Sequence, residues 1–368
     1  MNRTRTAEAQ LQAAEFWREA LLLAVLTLVG LGILMAVSVE GPGKGAFPAL
    51  HAKALRVAPA LLAFLVASRL PLERLHPFVL PAFILTLLLC LLPHFLGREI
   101  KGSSRWIHIA GLSFQPVELL KPVSVLAMAE ALERRQRYMS EFTRGVLPVV
   151  AIPAASAVVL LSQPDVGHAF FLLAIGGGLL VIGGLRFRHS LGLMFGSVAL
   201  LALAFVLYPH ALRRVLEFFS SDLGYQMKYS LAAFADGGLL GQGIGQGWFQ
   251  YGWLPETRND FVLPILGNEL GLAGSLLVVS SFGLLLVAAL RIARGARSRW
   301  SFLVALGLTM TVVLQASMNI LGVTNSIPEK GIDLPFLSSG GTNLFFALAS
   351  VGILANIAAT GRSVRGCD

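Results

Sequence analysis

Charge is the scarcest property of this 368-residue chain: Asp, Glu, Lys and Arg supply 13% of it, about half of what a water-soluble domain carries. That shortage, together with 55% hydrophobic residues and a mean hydropathy of +0.73, excludes an ordinary soluble enzyme and a disordered chain. Cysteine is almost missing. Cys90 lies inside an apolar run and Cys367 at the extreme end, which excludes a disulfide framework and a cysteine metal site. Basic residues outnumber acidic ones, 29 to 20, yet they sit in short connectors and form no aromatic-interleaved patch, which argues against a nucleic-acid partner.

What the chain has instead is apolar runs, at about 20–39, 53–69, 78–96, 117–132, 147–163, 167–184, 190–208, 264–290, 302–319 and 342–360. Each is near the length that crosses a hydrocarbon core of about 30 Å. None alternates as a barrel strand does, and helices are the only open-chain way to satisfy a backbone in lipid. The expected fold is therefore all-α and polytopic, with about ten transmembrane helices. The first run has no cleavage signal after it and reads as an uncleaved helix.

Alternate connectors hold Arg3, Arg5 and Arg18; Arg69 and Arg74; Arg134, Arg135, Arg137 and Arg144; Arg186 and Arg188; Arg291, Arg294, Arg297 and Arg299; Arg362 and Arg365, or 17 of the 29 basic residues. The opposite connectors hold Lys44, Lys53, Arg98, Lys101, Arg105 and Lys330. The positive-inside rule makes the first set cytoplasmic and puts both termini inside. The plan is a cytoplasmic segment at 1–19, one transmembrane domain at 20–360 and a cytoplasmic tail at 361–368. Extracytoplasmic loops fall at about 97–116, 208–263 and 320–341, the longest between helices 7 and 8. The polar motifs all fall on this outer side, where long ordered connectors are usually functional.

Several residues are costly where they sit. Glu118 and Lys121 are three apart on one helix face at the mouth of the fourth span. They read either as a mutually neutralising structural pair or as the lining of a polar cavity. Arg105 and Trp106 suit an interfacial anchor, or a phosphate contact beside a stacking face. Asp165, after the helix-ending Pro164, suits a helix cap better than a catalytic role. The glycine-dense Gly237–Gly247 fits no nucleotide loop and suggests close backbone approach to membrane or ligand. Glu256 and Asp260 are four apart beside Arg258 at the rim of the eighth span. Asp260 reads as a helix cap or as a general base at the edge of a low-dielectric region. Asn268 and Glu269 follow at membrane depth. Ser338 and Ser339, in the irregular loop that also holds Lys330, suit capping of the last span.

Taken in order, Gly102-Ser-Ser-Arg-Trp-Ile, Phe114-Gln-Pro-Val-Glu-Leu-Leu-Lys, Gln163-Pro-Asp-Val-Gly, Leu254-Pro-Glu with Asp260-Phe261, Asn268-Glu-Leu-Gly and Leu334-Pro-Phe-Leu-Ser-Ser-Gly-Gly resemble the SEDS family of RodA and FtsW proteins. The resemblance spans nearly the whole chain, and Pro328-Glu-Lys-Gly331 is closer to the FtsW pattern than to the RodA one. It implies a peptidoglycan glycosyltransferase that polymerises lipid II at the outer face of the bacterial cytoplasmic membrane, for septal division or elongation. Asp260 would be the general base of an inverting transfer, with undecaprenyl diphosphate leaving. Arg105, Trp106, Glu118, Lys121, Glu256, Lys330 and Ser338 would bind substrate. The family suggests a divalent cation, Mg or Mn, though no cluster in the sequence has clear ligand spacing. A class B penicillin-binding protein and other divisome or elongasome proteins are the implied partners. Three departures surround the implied site: Arg258-Asn259 where the family has His-Thr, Asn268-Glu269 where it has Glu-Glu, and Ser339 where it has Tyr. Two alternatives remain, a flippase for the lipid-linked precursor, with Arg56 and Glu269 among its lining, and an inactive scaffold for a cell-wall synthase.

Overall fold

A computed structural model of the protein describes residues 2–96, 105–109, 112–220, 223–249 and 253–363. Gly102, Ser103 and Ser104 of the first motif, with Cys367 and Arg365, lie outside these residues. In chain order the helices are α1 (Asn2–Lys44), α2 (Ala46–Ala67), α3 (His76–Leu91), α4 (Pro93–Leu96), α5 (Pro116–Arg134), α6 (Leu147–Ser162), α7 (Val166–Ile182), α8 (Phe187–Leu207), α9 (Pro209–Phe219), α10 (Tyr225–Gly237), α11 (Val262–Arg294), α12 (Arg299–Val323) and α13 (Gly341–Ser363).

Every apolar run of the sequence is helical. Among the described residues, eight helices are long and apolar enough to cross a membrane, and α7 is a shorter apolar one. The remaining predicted span, α5, is set apart by Glu118, Lys121, Glu130, Glu133 and Arg134. The protein is a multi-pass membrane protein. Its apolar exterior is that of a chain solvated by lipid: in α8 only 6% of the apolar window is buried, an arrangement that in water would be an interaction patch.

Three expectations change. The connector between the first two spans shrinks to Gly45, because α1 runs on to Lys44 and α2 begins at Ala46. Lys53, read as a connector charge, is therefore inside α2 and 1% exposed. The long connector at 208–263 holds two helices, α9 and α10. The loop before α5 contains a short antiparallel ribbon, β1 (Ile107–Ile109) with β2 (Leu112–Phe114), in which Ile107 pairs with Phe114.

The chain divides into two compact units. The first comprises Met1–Leu65, Arg213–Arg291 and Val312–Ala349, and the second Val66–Leu212, Ile292–Thr311 and Ser350–Asp368. In the second, α5 packs on α3, α6 and α7 around Leu120, Val125, Leu160 and Leu179, all wholly buried. Gln163 reaches from the α6–α7 turn to the Cys90 carbonyl.

In the first unit α11 is interrupted at Gly271 (φ 67°, ψ −163°). A break at membrane depth leaves backbone groups that lipid cannot satisfy. The glycine-rich segment after α10 satisfies them. Gln242 and Gly243 donate to the carbonyls of Asn268 and Glu269 at 2.9 and 3.0 Å, while Leu272 and Ala273 donate to those of Gly238 and Leu239 at 2.9 and 3.2 Å. Gly241, at φ +84°, lies so close to the Glu269 carbonyl that a β-carbon would collide with it. The glycines thus permit approach to a broken helix, a different partner from the membrane or ligand expected from sequence.

Candidate functional site

The predicted site residues divide between the two units. Asp260, Glu256, Lys330 and Ser338 belong to the first, and Arg105, Trp106, Glu118 and Lys121 to the second.

In the first unit, the turn that feeds α11 lies against the loop that feeds α13. Glu256 shapes the turn: it occupies the left-handed region at φ 56°, and its carbonyl accepts from Asn259 and Phe261 at 3.0 and 3.2 Å. Its carboxylate accepts from the Asn259 amide at 3.2 Å. Ser338 then ties the turn to the second loop, donating to the Asn259 carbonyl and accepting from the Leu334 N–H, both at 2.8 Å. Ser338 is thus a staple between loops, not the expected cap. Ser339 donates its backbone N–H to the Arg258 carbonyl at 2.8 Å. Two of the departing positions, 258 and 339, therefore meet through main chain, which any side chain permits. Lys53 of α2 donates to the carbonyls of Leu337 and Ser338 at 3.3 and 3.1 Å. From α12, the buried Asn319 amide donates to the carbonyls of Asp260 and Ile332, both at 2.8 Å, and Gln315 donates to the Asp333 carbonyl at 2.9 Å.

These bonds hold Asp260 half-buried at the start of α11, with its carboxyl hydrogen-bonded to that of Asp333. Burial pushes its proton affinity well above the usual carboxylate range, and the charges of Asp333, Glu256 and Glu329 push it further. Glu329 is also raised, by burial first, with Arg214 opposing and Glu217 reinforcing. Burial lowers Lys330, its neighbour. Glu269 is wholly buried beside the break in α11 and accepts from Ser38 of α1.

The second unit carries a chain of alternating basic and acidic groups. Asp165 caps α7, accepting from the His168 N–H at 3.3 Å, as the residue order Pro164-Asp165 suggests. Its carboxylate also meets the His168 Nδ1 at 2.9 Å and the Arg105 guanidinium at 3.7 Å. Burial alone would raise the Asp165 carboxyl, but His168 and Arg105 outweigh it and hold it well below the usual range. His168 Nε2 lies 4.0 Å from Glu118, which pairs with Lys121 at 2.7 Å. Lys121 is 1% exposed and its ammonium lies 5.5 Å from the centre of the Phe171 ring. The buried pair has the geometry of the mutually neutralising reading. Arg105, half-buried, also donates to the carbonyls of Gln163 and Pro164, and Trp106 beside it is half-buried.

Sequence reasoning passed over Asp333, Gln315, Asn319 and His168. Gln315 and Asn319 were findable: they are amides four apart in an otherwise apolar span, and so share a helix face. Asp333 had no spacing signal, because its neighbours are irregular loop.

The carboxylates around Asp260 are the hard oxygen donors that a divalent cation takes. Among the described residues, however, the one group of three or more whose ligand atoms converge is His76, Glu130 and Glu133 of the second unit. There Glu130 is already paired with His76 and Arg134, and Glu133 accepts from the Trp300 N–H. The carboxyls around Asp260 form no such group of three among the described residues.

This multi-pass helical fold is shared with known proteins. The chain belongs to the cell cycle protein family of FtsW, RodA and SpoVE, whose model matches residues 17–363. It is 38% identical over 288 residues to the probable peptidoglycan glycosyltransferase FtsW of Geobacter sp. (strain M18), covering 76% of this chain and 77% of that one. To the stage V sporulation protein E of Bacillus subtilis (strain 168) it is 34% identical, over 74% of this chain and 75% of the other. Among solved structures it resembles a chain of a peptidoglycan synthase complex that coordinates polymerization and crosslinking (TM-score 0.78, 26% identity, 95% of this chain and 98% of that one). It also resembles the rod shape determining protein RodA of Thermus thermophilus (TM-score 0.68, 27% identity, 92% and 95%).

Proposed function

We propose that the protein is a peptidoglycan glycosyltransferase that joins disaccharide units carried on a polyprenyl diphosphate, lipid II, into glycan strands. The observation that carries this reading is the carboxyl of Asp260: half-buried, held by two loops and surrounded by acidic groups that raise its proton affinity. The names of the FtsW relatives and the likeness to a peptidoglycan synthase complex support it.

In this mechanism Asp260 takes the proton of the acceptor sugar 4-hydroxyl as the oxygen attacks the anomeric carbon of the donor, with inversion. The donor C–O bond breaks and its electron pair leaves with the diphosphate. That leaving group is already a stabilised anion, so the second carboxylic acid that glycoside hydrolysis uses is not required. A general base whose pKa lies nearer the working pH than an ordinary carboxylate's is the more effective one. Cations take up the charge that develops on the diphosphate. Lys330 is placed for this in the first unit, where Gly331 after it lies beside the Asp260 carboxyl. Arg105, with a side chain 29% accessible, belongs to the second unit and is proposed as a substrate contact by the family likeness alone. Lys121, enclosed with Glu118, sets the local charge within the second unit. Trp106 offers a flat face for a sugar ring. No step is routed through a metal ion.

The chemistry is assigned to the extracytoplasmic face of the cytoplasmic membrane, where the positive-inside rule puts these connectors. A class B penicillin-binding protein is the partner proposed to crosslink the strands, in division by the FtsW likeness. The test is polymerisation of lipid II by the purified protein with its cognate transpeptidase. Asp260→Asn is expected to lose at least about a hundredfold in rate, the scale of a general base, with expression and partner binding retained. A variant that polymerises at the wild-type rate sinks the assignment.

A further inference from the structure

Asp260 does not stand alone. Its carboxyl is hydrogen-bonded to that of Asp333, and two carboxyls make such a bond only when a proton lies between them. Two amides of α12 hold the backbones of the two residues side by side. Asn319 donates to the Asp260 carbonyl and to that of Ile332, the residue before Asp333, and Gln315 holds the Asp333 carbonyl. Glycines clear the space: the Asp260 Oδ2 lies 3.1 Å from where a β-carbon at Gly331 would be, and the Asp333 Oδ2 would collide with one at Gly340. The charged groups bearing on Asp260 are Asp333, Glu256 and Glu329. From α2, Lys53 holds the carbonyls of Leu337 and Ser338, and the Arg56 side chain packs on Gly341, next to the glycine that meets Asp333.

We propose that Asp333 is a positioning residue that shares one proton with Asp260 and sets the pH at which Asp260 can act as a base. This rests on the reading of Asp260 as the general base. The proton balance is simple. When the pair has lost its shared proton, the acceptor hydroxyl gives up its own. The O–H bond of the sugar breaks and a new O–H bond forms on Asp260, where Asp333 shares it, while the sugar oxygen's electron pair goes to the anomeric carbon. Two like charges held together bind that proton more strongly than one carboxylate does. The pair is consequently a stronger base than a lone Asp, available only at higher pH.

The test is the pH–rate profile of lipid II polymerisation by the full-length protein with its transpeptidase. Asp333→Asn keeps a hydrogen-bond donor facing Asp260 and removes the shared proton and the charge. We expect two linked changes: the ascending limb moves to lower pH by about one unit or more, and the plateau falls several-fold because the remaining base is weaker. Asp333→Glu is expected to return the limb toward higher pH. A merely structural role would lower the rate without moving the limb. An Asp333→Asn profile that superposes on that of the wild type overturns the proposal. Should Asp333→Asn fail to fold, the infrared spectrum of the wild type minus that of Asp260→Asn decides. A protonated-carboxyl band that persists above the ordinary carboxylate range supports the pair, and its absence overturns it. The underlying base assignment fails separately, if Asp260→Asn polymerises at the wild-type rate.

Discussion

The two units handle buried charge in opposite ways. In the second, the order Arg105, Asp165, His168, Glu118, Lys121 alternates basic and acidic groups, so every carboxylate has a basic neighbour on each side. In the first, Asp260 has Asp333, Glu256 and Glu329 as its charged company. The first arrangement holds Asp165 ionised and the second favours a proton on Asp260. Alternation stores shape, since each group has a partner of the opposite kind. Crowding of like charges stores proton affinity, which a reaction can use. The difference directs the search for chemistry: a carboxyl whose proton affinity is raised by burial and like charges is a functional-site candidate, whereas alternating partners also serve structure.

The comparison can be broken most severely at Lys121. Lys121→Met leaves Glu118 buried without its ammonium, and removing one partner of such a pair costs about 3–5 kcal/mol. Thermal unfolding in detergent should show a large loss, largely restored by the double variant Glu118→Leu, Lys121→Met. If the double variant regains stability and polymerises, the pair is scaffold alone. Restored stability without activity places the pair among the substrate contacts.

A smaller effect is expected at Ser338, whose hydroxyl ties the Asp260 turn to the last loop. Ser338→Ala removes two hydrogen bonds and should cost about 1–2 kcal/mol. If Asp260 is the base proposed above, the polymerisation rate should fall several-fold with little change in KM, because what loosens is the turn that carries it. Unchanged kcat would mean that the other loop bonds suffice.

The smallest effect has the sharpest sign. Asp165 has a depressed pKa, so its contribution to stability is complete above the ordinary carboxylate value of about 4 and disappears as pH falls below it. Asp260 has a raised pKa, so the native state binds the extra proton and stability declines as pH rises from about 4 towards that raised value. Melting curves across pH should therefore change in opposite senses. Asp165→Asn should flatten the loss of stability on the acid side, and Asp260→Asn the decline on the neutral side. Two variants with the same pH dependence as the wild type would remove the contrast.

Much of the fold was legible because lipid imposes one demand, an apolar helix of sufficient length, and composition records it directly. Each apolar run proved helical, and the polar turn at Pro164-Asp165 announced its own cap. What composition could not record was where a charge ends up once chains pack. Lys53 looked like a connector residue because a lysine in a span is costly, and only the two carbonyls of the last loop show how that cost is met. The site was half legible. Asp260 and Ser338 lie in recognisable motifs, but Asp333 enters the site through pairing between loops about seventy residues apart in sequence, a non-local contact that no periodicity encodes.

The interruption of α11 has a mechanical meaning. The segment from Gly238 to Gly243 is bonded to the helix on both sides of Gly271, above it at Asn268 and Glu269 and below it at Leu272 and Ala273. It acts as a splint across a fracture. The upper fragment of α11 begins at Val262, two residues after Asp260, so the splinted carbonyls and Asp260 lie at the two ends of one short helical piece. Displacing the splint would displace that piece, and the turn that carries Asp260, with no contact at the carboxyl itself.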